Sequence, residues 1–269
     1  MPDFKLTKDN YYSQEANRIF MSTSEYKDFC GTWGIKGCEF MAMERLEGRY
    51  PEKKGLPLLV GGYVDAWFEG TLDRYKVEHP EMFRKDGCLK ADFVQADYII
   101  ERVQRDPMFM YYMSGEKQVI MTGNIAGIDW KIKIDSYLPD EAIVDSKVMS
   151  QIDKNKWVED IGEYLDFVRY WGYDIQGAVY QEIVKQNTGK KLPFIIAAVT
   201  KEEEPNIELI QVDQVYLDDA LARVKSNAPH IADVKMGLSE PEKCGICGCC
   251  RKNKVLLEPI MLSMLANRK

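Results

Sequence analysis

Nowhere in the 269 residues do about eighteen apolar side chains follow one another, so no segment offers itself as a membrane-spanning helix. The start, Met1-Pro2-Asp3-Phe4-Lys5, has no apolar run behind a basic patch, which gives no sign of an export signal. The expectation is a cytosolic chain. Internal repeats, low-complexity tracts and Gly/Ser linkers are also missing, which argues against a solenoid and against an internal domain boundary. A positive charge balance is absent too: 36 Lys and Arg against 43 Asp and Glu leave a formal charge of −7. That counts mildly against nucleic acid, because phosphate binding normally requires a basic surface. Whole-chain charge is a weak guide, however, since a site that gathers carboxylates around divalent cations carries negative charge where the metal neutralises it. Two basic runs, Lys185 to Lys191 and Arg251-Lys252-Asn253-Lys254, can face a DNA backbone or simply be solvated.

What is present is ordinary globular material, 45% hydrophobic and 29% charged, in a chain long enough to bury a substantial core. Seven cysteines would stay reduced in the cytosol, and four crowd into Cys244-Gly245-Ile246-Cys247-Gly248-Cys249-Cys250, a spacing better suited to metal than to disulfides. Cys30 and Cys88 read as structural.

The elements come in a legible order. Ser22-Thr23-Ser24 looks like a helix start leading through Tyr26 and Phe29 toward Met41, Met43 and Leu46, with Gly31 and Gly34 interrupting. Leu58 to Glu69 reads as a second helix and Phe93 to Met113 as a third, closed by Ser114-Gly115. The period then changes from helical to alternating. Gln118 to Thr122, Ile128 to Tyr137 and Ala142 to Val148 are β-rich runs separated by turn residues, which predicts successive antiparallel strands. Asn155 to Gln186 carries a long helical pattern, Phe194 to Val199 and Ile207 to Val212 read as strands, and a final amphipathic helix runs through Tyr216, Leu221 and Val224.

In Trp130-Lys131-Ile132-Lys133-Ile134-Asp135 the apolar residues share one strand face and leave Lys131, Lys133 and Asp135 on the other, away from that core layer. In Ile143-Val144-Asp145-Ser146-Lys147 the same period sets Asp145 and Lys147 side by side. If the two strands pair as a hairpin, two carboxylates and an ammonium converge. Such oxygens suit magnesium, and a lysine beside them can orient or deprotonate an attacking water, which together serve phosphodiester hydrolysis. The alternative is a pair of exposed strand carboxylates with Lys147 as a cross-strand partner.

Asp135-x9-Asp145-x-Lys147, set after a helical region and before a long helix, resembles the PD-(D/E)XK nuclease superfamily in motif and order. Gln176-Gly177-Ala178-Val179-Tyr180 looks like the Q-x-x-x-Y signature of its RecB-like branch. Tyr26 to Gly48, Leu58 to Gly70, Gly115 to Lys147 and Tyr170 to Ile183 resemble phage and prophage exonucleases of the RecE and lambda exonuclease kind. The resemblance implies an α/β (α+β) fold with a restriction-endonuclease-like core, a central mixed sheet flanked by helices. It also implies one domain over 1–269: a helical part at 1–114, a nuclease core at 115–236 and a Cys-rich segment at 237–269.

Carried over, the family pattern makes Asp135 and Asp145 ligands of Mg2+ or Mn2+, adds the backbone carbonyl of Ser146, and has Lys147 activate the water. Gln176 and Tyr180 would shape DNA binding. Where the branch often presents G-x-x-x-H on an early helix, Gly61-Gly62-Tyr63-Val64-Asp65 supplies Asp65 as the metal ligand; His79 and His230, the two histidines, lie elsewhere. Glu69 can assist one turn later, or be an exposed helix glutamate. Several RecB-like nucleases pin their C-terminal segment with a [4Fe-4S] cluster, and Cys38, Cys244, Cys247 and Cys250 resemble its ligands. Zinc accepts the same four thiolates, and Cys249 leaves the choice of third late ligand open. The implied activity is a magnesium-dependent exonuclease on linear double-stranded DNA. It would work in a bacterial cytosol, phage- or prophage-encoded, beside a single-strand annealing recombinase, with a homo-oligomer plausible by analogy. The alternatives are a nuclease for single-stranded DNA and a non-catalytic DNA-end or partner-binding module.

Overall fold

The computed structural model describes residues 4–52, 55–256 and 258–262. Among the described residues, seven α-helices lead into the sheet: α1 Gln14–Ile19, α2 Thr23–Cys30, α3 Glu39–Leu46, α4 Leu56–Phe68, α5 Leu72–Glu78, α6 Ala91–Gln104 and α7 Pro107–Tyr112. The Ser22 hydroxyl caps α2 by accepting from Glu25 N, and Gly31, at φ +78°, ends it, as the glycine-interrupted pattern anticipates. The single helix expected over Phe93 to Met113 is two. Pro107 cannot continue the ladder of α6, and Asp106 caps the new helix by accepting from Phe109 N.

Strands β1 Glu116–Ile125, β2 Ile128–Leu138 and β3 Ala142–Met149 form an antiparallel meander. β6 Phe194–Thr200 then lies parallel to β3, and β7 Ile207–Gln211 pairs antiparallel with β6. The five strands thus make a mixed sheet in the order β1-β2-β3-β6-β7, flanked by helices. A core with Trp130, Ile132, Ile143, Val179 and Phe194 lies under the later helices. Another, with Val60, Tyr63, Phe93, Val144 and Val199, lies under α4 and α6.

The long helix expected from Asn155 is overturned in its first half. Two short strands, β4 Lys156–Val158 and β5 Glu163–Leu165, turn back at Gly162, with exposed Trp157 and Tyr164 packed edge to face at 5.1 Å. The apolar spacing that mimicked a helix there is a hairpin with one aromatic pair on its outer side. Asp166 caps α8 Phe167–Tyr170, and Gly172, left-handed at φ +68°, starts α9 Tyr173–Thr188. α10 Gln214–Lys235 and α11 Gly248–Lys252 complete the described elements.

Lys131, expected on a face away from the core, is buried. The N-terminal segment covers it, and its ammonium donates to Tyr11 O and to Asn17 Oδ1 at 2.6 Å. Of the basic runs, Lys190 pairs with Asp140 and Lys191 with Asp218, so both lysines belong to solvated ion-paired faces. Cys30 and Cys88, expected to be structural, are exposed. Among the described residues no helix is long and apolar enough to cross a membrane.

Candidate active site and cysteine centre

The β2–β3 ladder pairs Leu138 with Ala142, Tyr137 with Ile143 and Ser136 with Val144, and stops. The next pair in that register is Asp135 and Asp145, so the two strands part where both carboxylates sit. The gap is bridged by side chain instead: Asp135 Oδ2 accepts from Ser146 N at 3.0 Å, and Asp135 Oδ1 accepts from Gln118 Nε2 at 3.3 Å. Gln118 reaches there from a β1 residue held at φ +54°.

Asp145 is 2% exposed and takes a hydrogen bond from Gln176 Nε2 at 2.6 Å. The Lys147 ammonium lies against Asp145 Oδ2 and also donates to Ser146 O at 3.3 Å, yet Oδ2 has no well-aligned hydrogen bond. α9 can hold Gln176 this close because Gly177 follows it: a Cβ there would stand 2.5 Å from Phe194 Cδ1, closer than packing allows. Glycine lets the helix lie on β6.

α4 supplies Asp65, half-buried, with the Ser146 side chain as a hydrogen-bonding neighbour. Burial pushes its carboxyl up to about 6 against the pull of Lys147 and Ser146, and the charges of Asp145 and Glu69 add to the rise. Asp135 is raised well above the ordinary carboxylate range, first by burial and then by Asp145 and Asp65. Burial alone would lower Lys147, but Asp145 and Asp135 outweigh it and hold the amine firmly charged.

This donor set fits a magnesium or manganese ion. It consists of hard oxygens on three carboxylates and one backbone carbonyl, with a buried Asp145 oxygen short of a hydrogen bond and a mutual repulsion that a dication relieves.

The expected residues Asp65, Asp135, Asp145, Ser146, Lys147 and Gln176 are therefore brought together. Tyr180 lies beside them: it is 6% exposed, its hydroxyl donates to Lys133 O at 3.0 Å, bracing β2 against α9, and the Gln176 side chain and the charges of Asp145 and Asp135 stand near it. The residue that sequence reasoning missed is Lys27 of α2. Its ammonium lies 5.5 Å from the Tyr173 ring centroid, with the Lys147 ammonium 5.0 Å from the same ring. No carboxylate pairs with it among the described residues, and burial followed by the Lys147 charge brings it down to about 8. Nothing in Glu25-Tyr26-Lys27-Asp28 marks this lysine; only the packing of α2 beside α9 reveals it.

A second constellation joins the chain's two ends. Cys38 Sγ lies 3.5 Å from Cys250 Sγ and 3.8 Å from Cys247 Sγ, and Cys244 Sγ lies 3.9 Å from Cys250 Sγ. Their four ligand atoms all lie within 4.8 Å of one another, tightly enough to hold one ion between them as the side chains stand. Cys249 is buried but turned away, its sulfur near Asn253 Nδ2 at 3.8 Å. The tail is docked beside them: Phe40 N donates to Glu242 O at 3.0 Å and Glu242 N to Glu39 Oε2 at 2.9 Å.

The fold and this cleft define a PDDEXK-type protein. Residues 22–253 match the family described as a PDDEXK-like domain of unknown function (DUF3799), and the chain belongs to that family. A crystal structure from Eubacterium rectale, of a protein provisionally assigned as an exonuclease, is 59% identical with a TM-score of 0.95. The match covers 98% of this chain and 99% of that one. A structure of SSO0001 aligns at 17% identity over 78% of this chain and 92% of that one, but its TM-score of 0.28 is too low to bear on the fold. No curated protein matches the chain. A PDDEXK-like domain and an exonuclease-assigned neighbour both point to a nuclease.

Proposed function

We propose that the chain is a divalent-metal-dependent deoxyribonuclease, folded as one nuclease domain, that degrades linear double-stranded DNA from its ends in phage-type recombination. The observation that carries the reading is the parting of β2 and β3 at Asp135 and Asp145, with Ser146, Lys147 and Gln176 closing on the same point. Asp65, Asp135, Asp145 and the Ser146 carbonyl would hold magnesium or manganese, which when bound supplies Lewis-acid charge beside the phosphate. Lys147, kept charged, orients the attacking water and offsets phosphate charge rather than removing a proton. Lys27 brings a second cation to the same cleft, suited to a non-bridging phosphate oxygen. Gln176 fixes Asp145, and Tyr180 fixes the strand that carries Asp135.

One observation favours a different reading, a DNA-end-binding module without chemistry: Lys147 is ion-paired to Asp145, which ties up both side chains. A single assay separates the two. The protein is incubated with linear and covalently closed circular double-stranded DNA, with magnesium or with chelator, beside Lys147→Ala. Nucleotide release from the linear DNA alone, lost with chelator and in the variant, is the expected result. No hydrolysis with any metal, with DNA binding equal in both proteins, would leave the binding module. Release from single-stranded DNA only would shift the substrate within the same chemistry.

A further inference from the structure

The four-cysteine centre does not have the dimensions of an iron–sulfur cube. A cubane binds each thiolate to a different iron, so the four sulfurs stand apart by an iron–iron edge plus the outward splay of the iron–sulfur bonds. Around one tetrahedral ion with metal–sulfur bonds of about 2.3 Å, the sulfurs instead stand about 3.8 Å apart. The separations here are 3.5, 3.8 and 3.9 Å, with every pair within 4.8 Å. They are also far longer than a disulfide bond of about 2.05 Å. We propose that Cys38, Cys244, Cys247 and Cys250 hold a single zinc ion as a closed structural site, in place of the [4Fe-4S] cluster that the RecB-like resemblance implies.

The local backbone is built for thiolates. Gly245, at φ +75°, makes the turn that lets Cys247 N donate to Cys244 Sγ at 3.3 Å. Cys250 N donates to Cys247 Sγ at 3.3 Å, and Met41 N to Cys38 Sγ at 3.4 Å. Backbone donors of this kind stabilise and orient metal-bound sulfur. Four protein ligands leave no open coordination position, which is the mark of a structural rather than a catalytic zinc. Tetrahedral four-sulfur coordination excludes the harder divalent ions proposed for the carboxylate cleft. The ion would clamp the tail to the start of α3, the helix packed against α2, and so brace the cleft wall that carries Lys27. Cys249 plays no part, its sulfur facing Asn253.

The test is elemental. The full chain, expressed without a metal-affinity tag in medium containing both iron and zinc, is purified in air and again without oxygen, and its zinc, iron and acid-labile sulfide are measured. About one zinc per chain in a colourless protein from both preparations is expected. Cys38→Ala and Cys250→Ala should lose that zinc, while Cys249→Ala and Cys30→Ser keep it. Should the two ligand variants fail to fold, growth of the wild type on cobalt supplies an independent readout: tetrahedral cobalt–thiolate bands in the visible spectrum. Iron and sulfide approaching four each per chain in the oxygen-free preparation would overturn the proposal. So would a metal-free protein in both, whether its cysteines titrate as thiols or have paired. Lys147→Ala, which removes the nuclease activity proposed above, leaves the zinc content unchanged, so the two readings can fail separately.

Discussion

Replacing Asp65 by asparagine should stabilise the metal-free protein while weakening its response to magnesium. The carboxyl is held at about 6 against an ordinary 3.8, mainly by burial, so ionising it in the folded state is unfavourable at neutral pH. A shift of that size corresponds to about 3 kcal/mol at 1.36 kcal/mol per pH unit. Because solvent reaches part of this half-buried side chain, about 1–2 kcal/mol is the realistic gain from an uncharged isostere. At about 2–4 °C per kcal/mol for chains of this order, the melting temperature should rise by roughly 2–8 °C. The pH dependence follows from linkage. With its folded value raised, wild-type Asp65 takes up a proton as pH falls through about 6, so its penalty is complete above that value. The penalty shrinks between 6 and 3.8, and is gone below. Thermal melts of both proteins at pH 8 in chelator should therefore show the variant ahead, and melts near pH 4.5 should bring the two together. Magnesium at pH 8 should close the gap by raising the wild type more than the variant, because a bound ion stabilises only the state that binds it. A variant that melts at or below the wild type at pH 8, with no change on acidification, would refute the desolvated-carboxylate account and remove Asp65 from the metal site.

Other outcomes follow from single contacts. Lys27→Met should slow hydrolysis by about 100–1,000-fold with DNA binding changed far less, as loss of one charge-stabilising donor does, and Lys27→Arg should restore much of the rate in a single-turnover assay. Gln176→Leu leaves a buried Asp145 oxygen without its donor and should cost about 1–3 kcal/mol in chelator, measured by denaturant unfolding. Gly177→Ala drives a methyl into Phe194 and should cost about 1–3 kcal/mol despite alanine's better helix propensity, with a raised magnesium requirement as α9 lifts. Tyr180→Phe should lose about 1 kcal/mol of stability and leave DNA affinity unchanged, whereas a fall in affinity would return its hydroxyl to the substrate face.

Much of the centre was legible because it rests on local rules. The β2–β3 hairpin and its register follow from alternating strands around Pro139-Asp140, and once they pair, Asp135 and Asp145 must meet. Gln176 was legible only through the likeness of Gln176-x3-Tyr180 to a family signature; what places it over the Asp145 carboxylate is the crossing of α9 on the sheet. Position 180, one turn on, is buried, and its tyrosine reaches past the helix surface to a strand carbonyl beside the same carboxylates. Periodicity failed at Trp157 to Tyr164, where aromatic pairing across a hairpin gives the same spacing as one face of a helix. Lys131 misled for a related reason. Alternation says which face a residue takes but not what covers it, and the cover here is the N-terminal segment more than a hundred residues away.

Lys27 shows where a motif stops being informative. The signature residues lie on the sheet and on α9, and their spacing is fixed by the strands, whereas a cation that faces the same cleft can arrive from any helix packed beside it. Its burial is tolerated because opposite charges stand near without touching: Asp145, Asp174 and Asp28 pull its amine toward the charged form while Lys147 pushes against it. Removing any one of those carboxylates should therefore lower the Lys27 amine further. Asp174 is one of them, and its own close partner is Arg223 on α10, which donates to it at 2.8 Å. The net charge of −7, which counted against nucleic acid at the outset, is thus poorly matched to the local balance that a phosphate meets. At the cleft the carboxylates face two ammoniums and a set of oxygens suited to a dication, and the rest of the acidic excess is spread over solvated faces where lysines such as Lys190 and Lys191 pair with it.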